Sequence, residues 1–478
     1  MTLGKIVRHA ARIAPGGRKG SGFAMRALLL TLFAWPFAAH VRAQHPTAPP
    51  APLTLQQAVQ IALEKNPERK AALADTRAAS ADVKEARSFL LPHAMFSETA
   101  TVGNDPVYVF GSKLRQHRFT AADFSLTTLN MPPPFGNFAT RFGGTWNLFD
   151  SLASWRAVSR AQRVKDASGH QLERTDQEII FRVVDAYYGL LLAQKQLDVA
   201  TESLKTAQAI LDESKNRYES GVVVESDYLS AQVRLGMRNQ DLIRARNDVE
   251  LARAQLNTSM GLPAETQFDP VDALSEENLP GVSLDDLEKE AVEKRPDLER
   301  VRSEEAAQEE SVAIAKSSFG PRVNAFADWE ADNPALFTGG GSDWMAGVEI
   351  QFDLFAGGAK RAQLAHERAM EDKVSAIKEM ATDAIRLEVR RAYYDLDAAR
   401  QEVDLARATI AAARESLRIN QDRYDSGLST ISDLLAGEED ARRSQTDYWQ
   451  AVYRYHTAYA NLELASGTLS PQSLAVTP

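Results

Sequence analysis

The chain switches between two hydrophobic periods, and the switches divide it into elements. Val183, Tyr187, Leu190, Leu197, Leu204, Leu211 and Tyr218 follow a 4,3 spacing, the seam of a helix that needs a partner alongside. Val389, Tyr393, Leu396, Val403, Ile410, Leu417 and Tyr424 repeat it position for position, 206 residues later. No proline interrupts Ser151 to Leu262 or Ala335 to Ser470. A helix from Ser151 to Tyr218 has 68 residues and runs for roughly 100 Å.

The seam resumes as Tyr228, Leu235, Leu242, Val249 and Leu256, and in the second half as Leu434, Ala441, Tyr448, Tyr455 and Leu462. Between the runs lie "RYESGVVVESDYLSAQ", 217–232, and "RYDSGLSTISDLLAGE", 423–438. Each half therefore holds a long helical hairpin, and this motif is its turn. Gly221 and Gly427 suit the left-handed position after a helix, and Ser226 and Ser432 are the expected N-caps.

The period drops to two in four other stretches. Trp344, Ala346, Val348, Ile350, Phe352 and Leu354 alternate with Met345, Gly347, Glu349, Gln351 and Asp353. Val323, Ala325, Ala327 and Trp329 alternate with Arg322, Asn324, Asp328 and Glu330, and Phe138, Phe142, Trp146 and Leu148 with Arg141, Thr145 and Asn147. "HAMFSETATV" reads as a weaker fourth strand, broken by Glu98. An apolar aromatic face opposite a polar one suits a membrane-barrel strand and a soluble sandwich alike.

The halves align without gaps from Trp146/Phe352 to Gly261/Gly467, and at an offset of 229 upstream, from Leu53/Val282 to Pro92/Pro321. The first copy thus carries 23 extra residues between Pro92 and Trp146. A tandem duplication with one enlarged loop, Gly103 to Asn137, explains both offsets. The expected organisation is a first repeat at 53–262 (strand pair 93–149, hairpin 151–260), a linker at 263–281 and a second repeat at 282–467. The second repeat holds a strand pair at 321–355 and a hairpin at 357–466, and a tail, 468–478, follows. The fold class is α+β.

Composition adds an address. Residues 1–43 carry seven basic and no acidic side chains, with the apolar run "ALLLTLFAWPFAA" before "VRA", which reads as a signal peptide cut after Ala43. A Pro-rich leader, 44–52, follows, and Met25 offers an alternative start. Loss of those seven charges takes the formal charge from -10 to -17, unsuited to nucleic acid. With no further long apolar run, the chain could enter a bilayer only as a closed β-barrel. Four strands are too few to close one, so copies must associate.

There is no cysteine, and the eight histidines lack metal-ligand spacing. No nucleophile elbow or phosphate loop occurs, so neither an enzyme nor a cofactor or metal is expected. "FTGGGSDW" reads as a loop.

The two turn motifs, the "NPE" and "RPD" turns, and "WNLFD" and "FDLFAGG" after the strands resemble the TolC-like outer-membrane efflux protein family, from about Leu53 to Gly467. The resemblance implies a homotrimer with a twelve-stranded β-barrel in outer-membrane lipid and a helical α-barrel in the periplasm. It implies passive export in an efflux or type I secretion system. The partners would be a periplasmic adaptor and an inner-membrane pump of RND, ABC or MFS type.

By the same resemblance Asp227 and Asp433, with Tyr218 and Tyr424, belong to the pore gate at the tip, where a carboxylate ring favours cations. An Asp in a first helical turn also simply suits the helix dipole. Family gate positions are Ala436 and Ser429 here, so the closed-state links are expected to recruit Glu438 or Glu439. Gly221, Val222, Val223, Val224, Gly427, Leu428 and Ile431 form the expected adaptor-docking tip, apolar where exposure is expected. The alternative reading is a periplasmic coiled-coil adaptor without a barrel.

Overall fold

The computed structural model describes residues 51–275, 283–336 and 338–476. The expected signal peptide, the leader up to Pro50, residues 276–282 of the acidic linker region and the last two residues of the tail lie outside the described residues.

In chain order the elements are β1 (Ala51–Leu53), α1 (Leu55–Lys65), α2 (Pro67–Ser88), β2 (His93–Gly103), α3 (Pro106–Arg115), α4 (Leu126–Asn130), β3 (Phe135–Phe149), α5 (Ala153–Glu219) and α6 (Glu225–Ser259). There follow β4 (Phe268–Pro270), α7 (Leu284–Lys294), α8 (Pro296–Ser317), β5 (Arg322–Asn333), β6 (Gly341–Gln351), α9 (Ala359–Asp425) and α10 (Ile431–Ser466). Prolines at the first position of α2 and α8 explain the expected turns: Pro67 and Pro296 cannot continue the preceding helix but start the next.

Each turn docks against the end of its own hairpin. The Asn66 side-chain amide donates to the Ser259 carbonyl at 2.9 Å, and Arg295 donates to the Ala465 carbonyl at 3.1 Å. Gly261 and Gly467, both with positive φ, sit where a side chain would strike Asn66 and Arg295. The duplication is thus preserved in packing as well as in sequence.

The helices α5 and α9 have 67 residues each. Along its first half α5 packs against α2 and α8, and along its second half against α6 and α10. At each level the chain is therefore a layer four helices wide, α2–α5–α8–α9 above and α6–α5–α10–α9 below. The seam residues Val183, Tyr187, Leu190, Val389, Val403 and Tyr424 are all buried within it.

The edge helix α9 leaves Met380, Leu387 and Tyr394 exposed at seven-residue spacing. On the opposite edge α6 exposes Leu229, Val233 and Met237.

The four long strands form one antiparallel sheet, β2-β3-β5-β6. The register places Phe96, Phe142, Trp329 and Trp344 in a single row across it, with Phe96 and Phe142 rings 5.1 Å apart and Phe142 and Trp329 rings 5.8 Å apart. Trp344, Val348 and Ile350 on that face are exposed. The opposite face carries Ser97, Arg141, Glu330 and Asp343 in register. A bulge between Asn147 and Phe149 ends β3's regular alternation. Glu98 does not interrupt β2, because the Thr140 hydroxyl beside it donates to its carboxylate at 2.6 Å. Strand β6 ends at Gln351, short of the expected 355.

Several boundaries differ from expectation because tertiary contacts claim them. The last two leader residues and Leu53, the first of the first repeat, form β1, which pairs in parallel with β4 inside the expected linker. The Asp272 carboxylate accepts from the Leu55 N–H and the Tyr187 hydroxyl, at 2.8 and 2.7 Å, and fixes this joint. The expected tail contributes the buried Leu469, Ala475 and Val476 to the core. The enlarged first-copy loop is largely ordered, with α3, a 3-10 turn at Ala121–Phe124 and α4.

Candidate functional site

The two hairpin turns lie side by side at the end of the helices furthest from the sheet. Both close alike. Gly221 has φ 72° and Gly427 φ 71°, so the Val222 and Leu428 N–H groups bond back to Arg217 and Arg423 carbonyls, each at 2.8 Å. This is a Schellman closure, and glycine supplies the left-handed residue at no steric cost.

The next helices start earlier than expected. The N-caps are Val224 and Thr430, and Ser226 and Ser432 lie inside the first turn. Extended backbone at Val224 and Thr430 lets the helix begin directly after the Gly-closed turn, so no loop remains for a serine cap.

The two starts differ chemically. Thr430 and Asp433 form a capping box: the Asp433 carboxylate accepts from the Thr430 hydroxyl at 2.7 Å, the Thr430 N–H at 3.1 Å and the Ser429 hydroxyl at 3.2 Å. These bonds, that from Thr430 first, hold its pKa below the ordinary carboxylate range. Val224 has no side-chain acceptor to offer, so Asp227 sits half-buried in an uncapped first turn.

The expected gate tyrosines separate. Tyr424 is buried beneath Arg217, whose guanidinium lies 4.8 Å from the ring centre and donates to the Tyr424 carbonyl at 2.8 Å. Tyr218 is exposed and stacked on Tyr228 at 5.9 Å. Arg217 also reaches the Asp425 carbonyl and carboxylate, placing a cation on the C-terminal end of α9.

Glu438 and Glu439 meet Arg238 of α6. Arg238 and Glu438 side chains are each 3% exposed and bonded twice, at 3.1 and 2.8 Å. Glu439 takes Arg442, Arg238 and Arg234 as partners. The Arg442 hydrogen bond, with Arg238 behind it, pulls the Glu439 pKa down to about 2. Burial opposes the charge of Arg238, but its carboxylate partners outweigh that and raise its pKa.

Of the expected docking residues, Val222, Val224 and Leu428 are exposed, and Val223 is half-buried. Ile431 is not on this surface. At 4% exposure it packs with Tyr424, Leu434, Leu435, Ala231 and Ile210, because as the first residue of α10 it points into the hairpin seam.

Arg217 and Arg238 were not among the expected site residues. A signal for Arg238 was present: it stands seven residues from both Ala231 and Ala245, all three buried. A charge at an inward heptad position between two small residues needs a partner across the interface.

A family model described as outer membrane efflux protein matches residues 58–262 and 287–468. The alkaline protease secretion protein AprF of Pseudomonas aeruginosa is 23% identical over 435 residues, 88% of this chain and 86% of that protein. The outer membrane protein TolC of Escherichia coli is 22% identical over 444 residues, 88% of this chain and 83% of that protein. Among solved structures, the CmeC outer membrane channel of Campylobacter jejuni superposes with a TM-score of 0.74 at 18% identity, covering 88% of each chain.

Proposed function

The chain belongs to the outer membrane efflux protein family, and from that premise we propose that three copies close into one duct reaching from the cell exterior into the periplasm. It is an outer-membrane duct subunit, and its work is passive conduction. The observation that carries the trimer is the sheet. It is four strands wide, has two edges unpaired among the described residues, and turns an exposed row of Phe96, Phe142, Trp329 and Trp344 outward. An unpaired edge is not tolerated in lipid, and three such sheets give a twelve-stranded barrel.

Among the described residues no helix is long and apolar enough to cross a membrane, so the sheet is the membrane element of this reading. In the lower layer α9 and α6 are the opposite edges, and their exposed apolar residues, Leu405 and Ile419 on α9 and Leu229, Val233 and Met237 on α6, supply the seam between copies there. The polar face, with Arg141, Glu330 and Asp343, lines the barrel. A coiled-coil adaptor without a barrel has no use for the aromatic row.

The hairpin turns form the periplasmic tip. Val222, Val224 and Leu428 give an adaptor an apolar surface, and the adaptor joins the duct to an inner-membrane pump of an efflux or type I secretion system. Asp227 and Asp433, one pair from each copy, set a carboxylate ring at the narrowest point. Arg238 with Glu438 and Glu439, and Arg217 with Tyr424, hold the two hairpins of a chain together in the closed tip.

The test is the native mass of the mature protein extracted from outer membranes in mild detergent, corrected for bound detergent. Three chains are expected. A detergent-independent monomer in the periplasm would overturn the barrel.

A further inference from the structure

The first-copy insertion does not project freely from the sheet. The long helices join the sheet at His93, Phe149, Arg322 and Gln351, so residues 104–134, 334–336 and 338–340 lie at its opposite, outer end. The second connection is short. The first carries α3 and α4, and it is anchored on one face only.

The side chains that anchor it, Glu330, Asn137 and Phe135, are on the polar face. Arg115, the last residue of α3, donates to Glu330 at 2.8 Å. Gln116 is 2% exposed and donates to the Gly136 carbonyl at 3.0 Å, the Asn137 side chain at 2.7 Å and the Asn333 carbonyl at 3.1 Å. Asn137 in turn bonds the buried Asp332. Lys113 and Arg118 bracket the Phe135 ring, at 5.8 and 5.7 Å from its centre.

Backbone contact completes the dock. A side chain at Gly341, the first residue of β6, would place its Cβ 1.9 Å from the Arg115 carbonyl oxygen, so glycine is required for the approach. Inside the insertion, Phe119 packs edge-on against Phe110 and Phe124, at 4.9 and 5.1 Å, and Lys113 pairs with Asp123 at 2.6 Å. These contacts tie α3 to the 3-10 turn, although Phe110 and Phe124 remain exposed.

We infer that the insertion 104–134 is a plug on the luminal side of the barrel's outer mouth, so that this end of the duct restricts passage independently of the periplasmic tip. The inference rests on the duct reading, which makes the polar face luminal. Twelve strands about 4.8 Å apart and tilted about 40° give a backbone radius of about 12 Å. A helix with side chains is about 10–12 Å across, so three inward-docked α3 bodies occupy most of the mouth. Solute size at the exterior is then set by this body, and its docking residues determine it.

The chain contains no cysteine, which makes a direct test available. In Glu349→Cys, the single thiol, on the luminal face nearer the helices, is labelled in intact cells with a bulky membrane-impermeant polyethylene-glycol maleimide. Labelling is compared with that in two undocking backgrounds, Arg115→Ala and Gly341→Leu. In Arg115→Ala, Glu330 keeps Arg141, at 2.5 Å, so the barrel wall stays paired. Val107→Cys, at an exposed position, reports delivery of the reagent.

The expected result is labelling at 349 about tenfold faster in either undocked background, as the population of the free insertion rises. Fast labelling at 349 irrespective of docking would overturn the plug and leave the duct standing. Labelling at 107 with none at 349 in any background would overturn the duct reading, and the plug with it.

Discussion

Arg238 of α6 and Glu438 of α10 form a buried, doubly hydrogen-bonded pair that ties one hairpin to the other across 200 residues of sequence. The duplication does not repeat it, since the equivalent positions are Ser444 and Gln232. Removing one partner of such a pair strands a buried charge, at about 3–5 kcal/mol. Arg238→Ala is expected to lower the melting temperature of the trimer and raise its conductance in planar bilayers. Arg238→Met with Glu438→Leu should recover most of the stability, as apolar groups of similar volume do. Unchanged melting and conductance in Arg238→Ala would remove the lock.

Acid should act on the same cluster through Glu439. Its pKa is held near 2, below the model-peptide value of 4.5, by Arg442 and Arg238, while Arg234, Glu438 and Asp241 complete the surroundings. A depressed carboxylate stabilises the fold above its ordinary pKa and loses that contribution as pH falls toward the depressed value. Conductance is expected to hold steady from neutral pH to about 5 and to rise below about 4.5. Glu439→Gln should open the tip already at neutral pH and flatten this response, and a response identical to the parent protein would contradict the assignment.

Charge and capping can be separated at the second turn. Asp433→Asn keeps an acceptor for the Thr430 cap and removes the negative charge, so cation preference, read from the reversal potential in a salt gradient, should fall with little loss of stability. Thr430→Ala leaves the charge and weakens the helix start by about 1 kcal/mol. If Asp433→Asn left the reversal potential where it was, its carboxylate would be a cap and nothing more.

The tip residues should divide by burial. Leu428, 71% exposed, tolerates a charge in the trimer, so Leu428→Asp is expected to abolish export with normal trimer yield. Ile431→Asp places a charge in a closed apolar cluster and should reduce trimer yield itself. Normal export by Leu428→Asp would take this surface out of adaptor contact.

Much of the architecture was legible in one sequence, for identifiable reasons. The 4,3 seam from Val183 to Tyr218 and its copy from Val389 to Tyr424 specify long helices because helical period repeats over many turns and no proline intervenes. Gly221 and Gly427 announced their turns because a left-handed residue after a helix has few candidates. The serine caps were misplaced by two residues, since the helices begin directly after the Gly-closed turns, with Val224 and Thr430 as extended N-caps. Ile431 read as exposed because nothing local distinguishes it from Leu428, three residues earlier.

The sequence by itself therefore determined the duplication, the helix and strand periods, the turn positions and the amphipathic faces, all properties of residues near one another in the chain. Tertiary structure alone decided that Arg238 meets Glu438, that β1 joins β4, that Ile431 is buried, and that the insertion folds onto the polar face through Arg115 and Glu330. Each of these contacts joins segments that are distant in sequence or differ only in which way a side chain faces. Local periodicity carries no information about such a partner, and packing selects it by satisfying buried charge and excluding water.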